Sequence, residues 1–94
     1  MIQVIAPVLV DVEDIQDMTF QNEMVSEVNS EIQRKISDVL LMRNAYHKLV
    51  LIIFESDSGI KKVKTTLWAG GSNSICMEGG IWLPVKRIIE INLI

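Results

Sequence analysis

The sequence predicts a small α+β domain in which one amphipathic helix packs on a strongly bent, five-stranded antiparallel sheet. Three observations carry this expectation. In the first half, apolar residues recur at spacings of three and four, the period of a helix face. From His47 to Ile94, short β-rich runs alternate with tight-turn signals. The 94 residues are 49% hydrophobic but only 5% aromatic, enough for a single core built from aliphatic side chains.

Each element has its own local cause. Residues 1–13 hold β-branched residues interrupted by Pro7, which suits an extended arm or an edge strand. Residues 14–46 are assigned to the helix, with Met24 or Val25, Val28, Ile32, Ile36, Val39, Leu40 and Arg43 on one stripe. Asp17 or Thr19 is its candidate N-cap, and Asn44 stands where it can end. Acidic residues crowd its start, and Arg34, Lys35 and Arg43 lie late, as the helix dipole prefers. Residues 47–94 form the sheet. Leu49 to Phe54 is apolar on both faces and reads as a central strand. Ser56-Asp57-Ser58-Gly59 is a turn, after which Val63, Thr65 and Leu67 alternate with Lys62, Lys64, Thr66 and Trp68. Gly70-Gly71-Ser72-Asn73 and Glu78-Gly79-Gly80 are further turns around the short strand Ile75 to Met77. Ile81-Trp82-Leu83 follows, then Pro84 to Arg87 as a single 3-10 turn, and Ile88 to Leu93 closes the set.

The charge is uneven. Residues 1–47 carry eight acids against Arg34, Lys35 and Arg43, whereas the sheet half carries six bases against four acids. Opposed halves of this kind attract one another within or between chains. The aliphatic surplus of so short a chain favours self-association that buries an exposed face, so a homo-oligomer is expected. Cys76 stands alone, which excludes an internal disulfide and fits a reducing compartment. The apolar opening Ile2 to Val10 lacks the basic start and cleavage site of a signal peptide. It also falls short of the roughly 20 residues that cross a bilayer. A cytoplasmic protein without membrane contact is the expectation.

Little catalytic chemistry is available. Zinc requires three or four N/S ligands, and the chain offers His47 and Cys76 without paired spacing. Asp11, Glu13, Asp14 and Asp17 lack the glycine and oxygen ladder of a calcium loop. Ser56 and Ser58 belong to a turn and are not tied to a base, and nothing around Cys76 in the sequence marks its thiol as reactive. The paired glycines match neither a dinucleotide fingerprint nor a P-loop. A non-enzymatic protein without cofactor or metal is therefore expected.

Five short strands with a one-turn break before the last resemble the SH3-like small barrels, a class that includes the Sm-like RNA-binding proteins. The ending from Gly80 to Ile91 resembles the last two strands of small bacterial barrels of the Rho-binding antiterminator type, where a helix also precedes the sheet. Asn44-Ala45-Tyr46-His47, Thr65 to Ala69 and Gly79 to Ile88 are similar to strings in a group of uncharacterised small bacterial proteins. The resemblance implies binding to RNA or to another protein.

Three functional expectations result. The first is a self-associating binding module for a protein partner, with Lys62, Lys64, Trp68, Trp82, Lys86 and Arg87 as its candidate interaction surface. The second is RNA binding through Lys62, Lys64, Trp68 and Lys86, with lysines for phosphates and an aromatic ring for bases. The third is a small-ligand pocket between helix and sheet near Tyr46, His47 and Trp82. The tryptophans themselves are expected to pack under the helix or in a subunit interface, and the net charge of −3 weighs against nucleic acid.

Overall fold

A computed structural model of the chain describes residues 6–21, 30–42, 47–71 and 73–94. Along the chain run β1 (Val8–Val10), a 3-10 turn (Val12–Asp17), α1 (Ser30–Leu40), β2 (Leu49–Ser56) and β3 (Gly59–Gly70). They are followed by β4 (Ser74–Met77), β5 (Ile81–Pro84), a second 3-10 turn (Val85–Arg87) and β6 (Ile88–Leu93). The molecule is a small α+β domain.

The sheet has six strands among the described residues, not five, because the N-terminal arm joins it. Val8–Val10 pairs in parallel with Lys61–Val63, and Pro7 stands just before the pairing, where a missing N–H costs no ladder bond. The remaining pairings are antiparallel in the order β5–β4–β3–β2–β6. The sheet does not close into a barrel, since β5 and β6 lie at opposite ends of that order. The twelve-residue β3 organises everything else. Residues 59–66 pair with β2 on one side, Lys61–Val63 with β1 on the other, and its last residues pair with β4. A register shift between Leu67 and Ala69 bends it where it changes partners.

Alternation decides which side is dry. Val50, Ile52 and Phe54 of β2 and Val63, Thr65 and Leu67 of β3 are fully buried. Their strand neighbours Leu51, Ile53, Lys62 and Lys64 stay partly or wholly exposed on the outer face. Ile75, Met77, Ile81, Leu83, Ile88 and Ile91 complete the inner face, and one cluster joins them to Ile32, Ile36 and Val39 of α1 and to Ile15. Central β2 is thus apolar on both faces but buried on one.

The helix is shorter than 14–46. Among the described residues it covers Ser30–Leu40, while Val12–Asp17 forms the 3-10 turn and Met18 to Gln21 has no regular element. Asp14 accepts from the Asp11 N–H at 3.1 Å, and Met18 N–H closes the turn on Ile15 O at 3.1 Å. Thr19 is not a helix cap, since its hydroxyl donates to Asp57 Oδ2 at 2.7 Å, far along the sequence. Met24, Val25, Val28, Arg43, Asn44 and Tyr46 lie outside the described residues.

Two glycine pairs differ in kind. Gly79 (φ +83°) and Gly80 (φ +75°) make the turn from β4 to β5 in a backbone region that L side chains rarely adopt. Gly70 is a packing residue rather than a turn residue: a Cβ there would lie 2.8 Å from Leu40 Cδ1 and 3.2 Å from Ile36 Cγ2. Its missing side chain lets the end of β3 approach α1.

Candidate binding surface

Trp68 and Trp82 are 51% and 57% exposed, so neither packs under the helix as the sequence suggested. The reason is register. Trp68 alternates with buried Leu67 and so faces outward with Lys64 and Thr66, just where the register shifts, its Nε1–H held by Thr66 Oγ1 at 3.0 Å. Trp82 is out of phase with buried Ile81 and Leu83 and lies opposite Cys76, itself in register with Ala69. The row Ala69–Cys76–Trp82 therefore shares the outer face of the sheet. Cys76 is 8% exposed in that row, with Sγ at 3.7 Å from Met77 O.

Beside β5 runs a groove of about 500 Å³, walled on one side by Ile81 to Pro84 and on the other by Ile15, Gln16, Met18 and Phe20. Its lining carries no charged residue. Val85 N–H bonds Asn73 O at 2.9 Å, which makes Ile75–Leu83 and Met77–Ile81 the hydrogen-bonded pairs of this hairpin. Trp82 N–H and C=O consequently point away from β4, toward the groove. Among the described strands β5 has no neighbour on that side.

A polar clamp fixes the far wall. The Asp57 carboxylate accepts from Thr19 Oγ1 and from Gln21 N–H at 2.9 Å, and Asp57 N–H bonds Thr19 O at 3.0 Å. Arg87 Nη1 lies 3.7 Å from Asp57 Oδ1, and its guanidinium stands 5.9 Å from the Phe20 ring centroid. Phe20 in turn meets Phe54 at 6.2 Å between centroids. Arg87 is 4% exposed and is removed from the interaction surface expected of it. The second 3-10 turn rotates it inward, while Lys86 remains exposed.

The other expected residues separate. Lys62, Lys64 and Trp68 share the outer face of β3, but Trp82 lies two strands away across β4. His47 lines a hollow with Thr66, Trp68 and Glu78, whereas Trp82 lines the β5 groove. His47 and Trp82 therefore do not share a pocket, and Tyr46 is not described. The hollow between helix and sheet is lined instead by Gln33, Ile36, Ser37, Leu40, Gly70 and Gly71. Among the described residues no three His, Cys, Asp or Glu side chains converge. No described helix is long and apolar enough to cross a membrane.

Sequence reasoning missed Met18, Phe20 and the clamp. The apolar pair flanking Thr19 among acids was the available signal, but its partner Asp57 is 38 positions away. No protein-family model matches the chain, and no match is found among curated proteins or solved structures.

Proposed function

We propose that this chain is a non-enzymatic, cytoplasmic binding module, an open half-barrel of the SH3-like kind, that self-associates and captures a segment of a protein partner. The supporting observation is the uncharged groove beside β5, with the Trp82 amide open at its edge and the Trp82 ring half exposed. An extended, uncharged, apolar peptide fits this chemistry. Its backbone would bond Trp82 N–H and C=O while alternate side chains enter between Met18, Phe20 and Leu83. Pro84 has no N–H and limits the ladder to a few bonds, so affinity would rest chiefly on the apolar contacts.

The test is a titration of the Trp68→Phe protein with short apolar and charged peptides, read by Trp82 emission. A saturable blue shift with apolar peptides, lost on Met18→Glu, is expected. No shift with any peptide sinks the proposal. A second reading, RNA binding, is favoured by Lys62, Lys64 and Trp68 on one face of β3. Glu55 on β2 and Glu90 on β6 beyond it weigh against phosphates. Single-stranded RNA that quenches Trp68 at low salt and releases it at high salt would overturn the peptide reading.

A further inference from the structure

The outer face of the sheet opposite α1 is apolar at its centre and oppositely charged at its sides. Register places Leu9, Lys62, Ile53 and Glu90 in one row across β1, β3, β2 and β6. The next row is Lys64, Leu51 and Asn92, and Leu49 follows beside Thr66. The face therefore has a column along β2 that is aliphatic from Leu49 to Ile53 and ends in Glu55, a basic column on β3 and an acidic to polar column on β6. Leu9 and Leu49 are 58% and 50% exposed. Lys62, Lys64, Glu55 and Glu90 have no ion-pair partner among the described residues.

We infer that this face is a twofold interface with a second copy of the chain, its axis running along β2. Such a rotation exchanges the two sides of the face while preserving position along the strand. Ile53, Leu51 and Leu49 then meet their own counterparts, and Glu55 meets its own at the end of the strand, one like-charge contact against two Lys62–Glu90 pairs. Lys62 of each copy stands over Glu90 of the other, and this pair sets the axis; Lys64 stands over Asn92, whose Oδ1 already accepts from Lys35 Nζ of α1 at 3.4 Å. Sheets pack about 10 Å apart, a gap that a lysine and a glutamate side chain span between them. A twofold axis at right angles to β2 would instead set Lys62 and Lys64 against themselves, which like-charge repulsion disfavours. The inference deepens the self-association part of the function proposed above and leaves the β5 groove open to solvent.

The experiment is sedimentation velocity over a concentration series, with circular dichroism confirming that each variant folds. Lys62→Glu and Glu90→Lys should each weaken the dimer by at least about tenfold, because each places like charges opposite one another twice. The double variant K62E/E90K should regain the dimer, and so should an equimolar mixture of the two single variants, since both arrangements restore opposite pairs. Ile53→Glu should abolish it. A chain that stays monomeric at high concentration, or a dimer indifferent to both reversals, overturns the inference. The peptide titration repeated on the Ile53→Glu monomer keeps the two proposals apart: retained binding means that only the interface has failed.

Discussion

Arg87 brings a full positive charge to a position where its side chain is 3% exposed, and Asp57, itself 18% exposed, is the carboxylate beside it. Desolvating a guanidinium is costly unless a partner is in place, so the pair matters most when one member is removed. Asp57→Ala should lower the free energy of unfolding by roughly 2–4 kcal/mol, as it removes the carboxylate beside buried Arg87 and frees the Met18–Gln21 strap together. Thr19→Val, which removes one hydrogen bond of the same clamp, should cost only about 1 kcal/mol. Urea denaturation compares them, and equal losses would show that the ion pair contributes nothing of its own. The clamp also holds one wall of the groove, so Asp57→Ala should weaken apolar peptide binding where the protein remains folded.

At the scale of elements, the meeting of α1 with the end of β3 depends on an absent side chain. A branched residue at Gly70 would press on both Ile36 and Leu40, and Gly70→Val should destabilise by about 1–3 kcal/mol. Gly71→Ala is the control: the nearest atom to its Cβ would be Ser74 O at 3.8 Å, and its effect should stay within about 0.5 kcal/mol. Similar melting temperatures for the two variants would show that helix and strand are not in close contact there. The amphipathic stripe of α1 was legible because Ile32, Ile36 and Val39 repeat at the helical period. Its extent was not, because Asp11, Asp14 and Gln16 are satisfied within the 3-10 turn, and Thr19 and Gln21 by distant Asp57, rather than by a longer helix.

For the whole molecule, one aliphatic cluster joins β2 to β6 with α1 and Ile15, while both indoles stay outside it. Ile52, fully buried at the centre of β2, should lose about 2–5 kcal/mol on truncation to alanine. A loss below 1 kcal/mol, read by urea denaturation, would mean that this strand is not central. With Trp68 replaced by Phe and no partner present, Trp82 should emit like an indole in water and be quenched freely by acrylamide. A shielded, blue-shifted emission at high dilution would show that the outer face of β5 is covered within one chain.

Local pattern in the chain determined the five strands β2 to β6, the turns, the inward phase of Val63, Thr65 and Leu67, and the outward phase of Lys62 and Lys64. These follow from a two-residue period and from glycines placed where the backbone must turn, both readable over a few positions. The tertiary structure alone decided that Val8–Val10 pairs beside β3, that Arg87 turns inward to Asp57, and that Trp82 borders a groove walled by Met18 and Phe20. Each of these joins residues tens of positions apart, and their meeting is set by how the sheet bends around its core. No short-range periodicity carries that information.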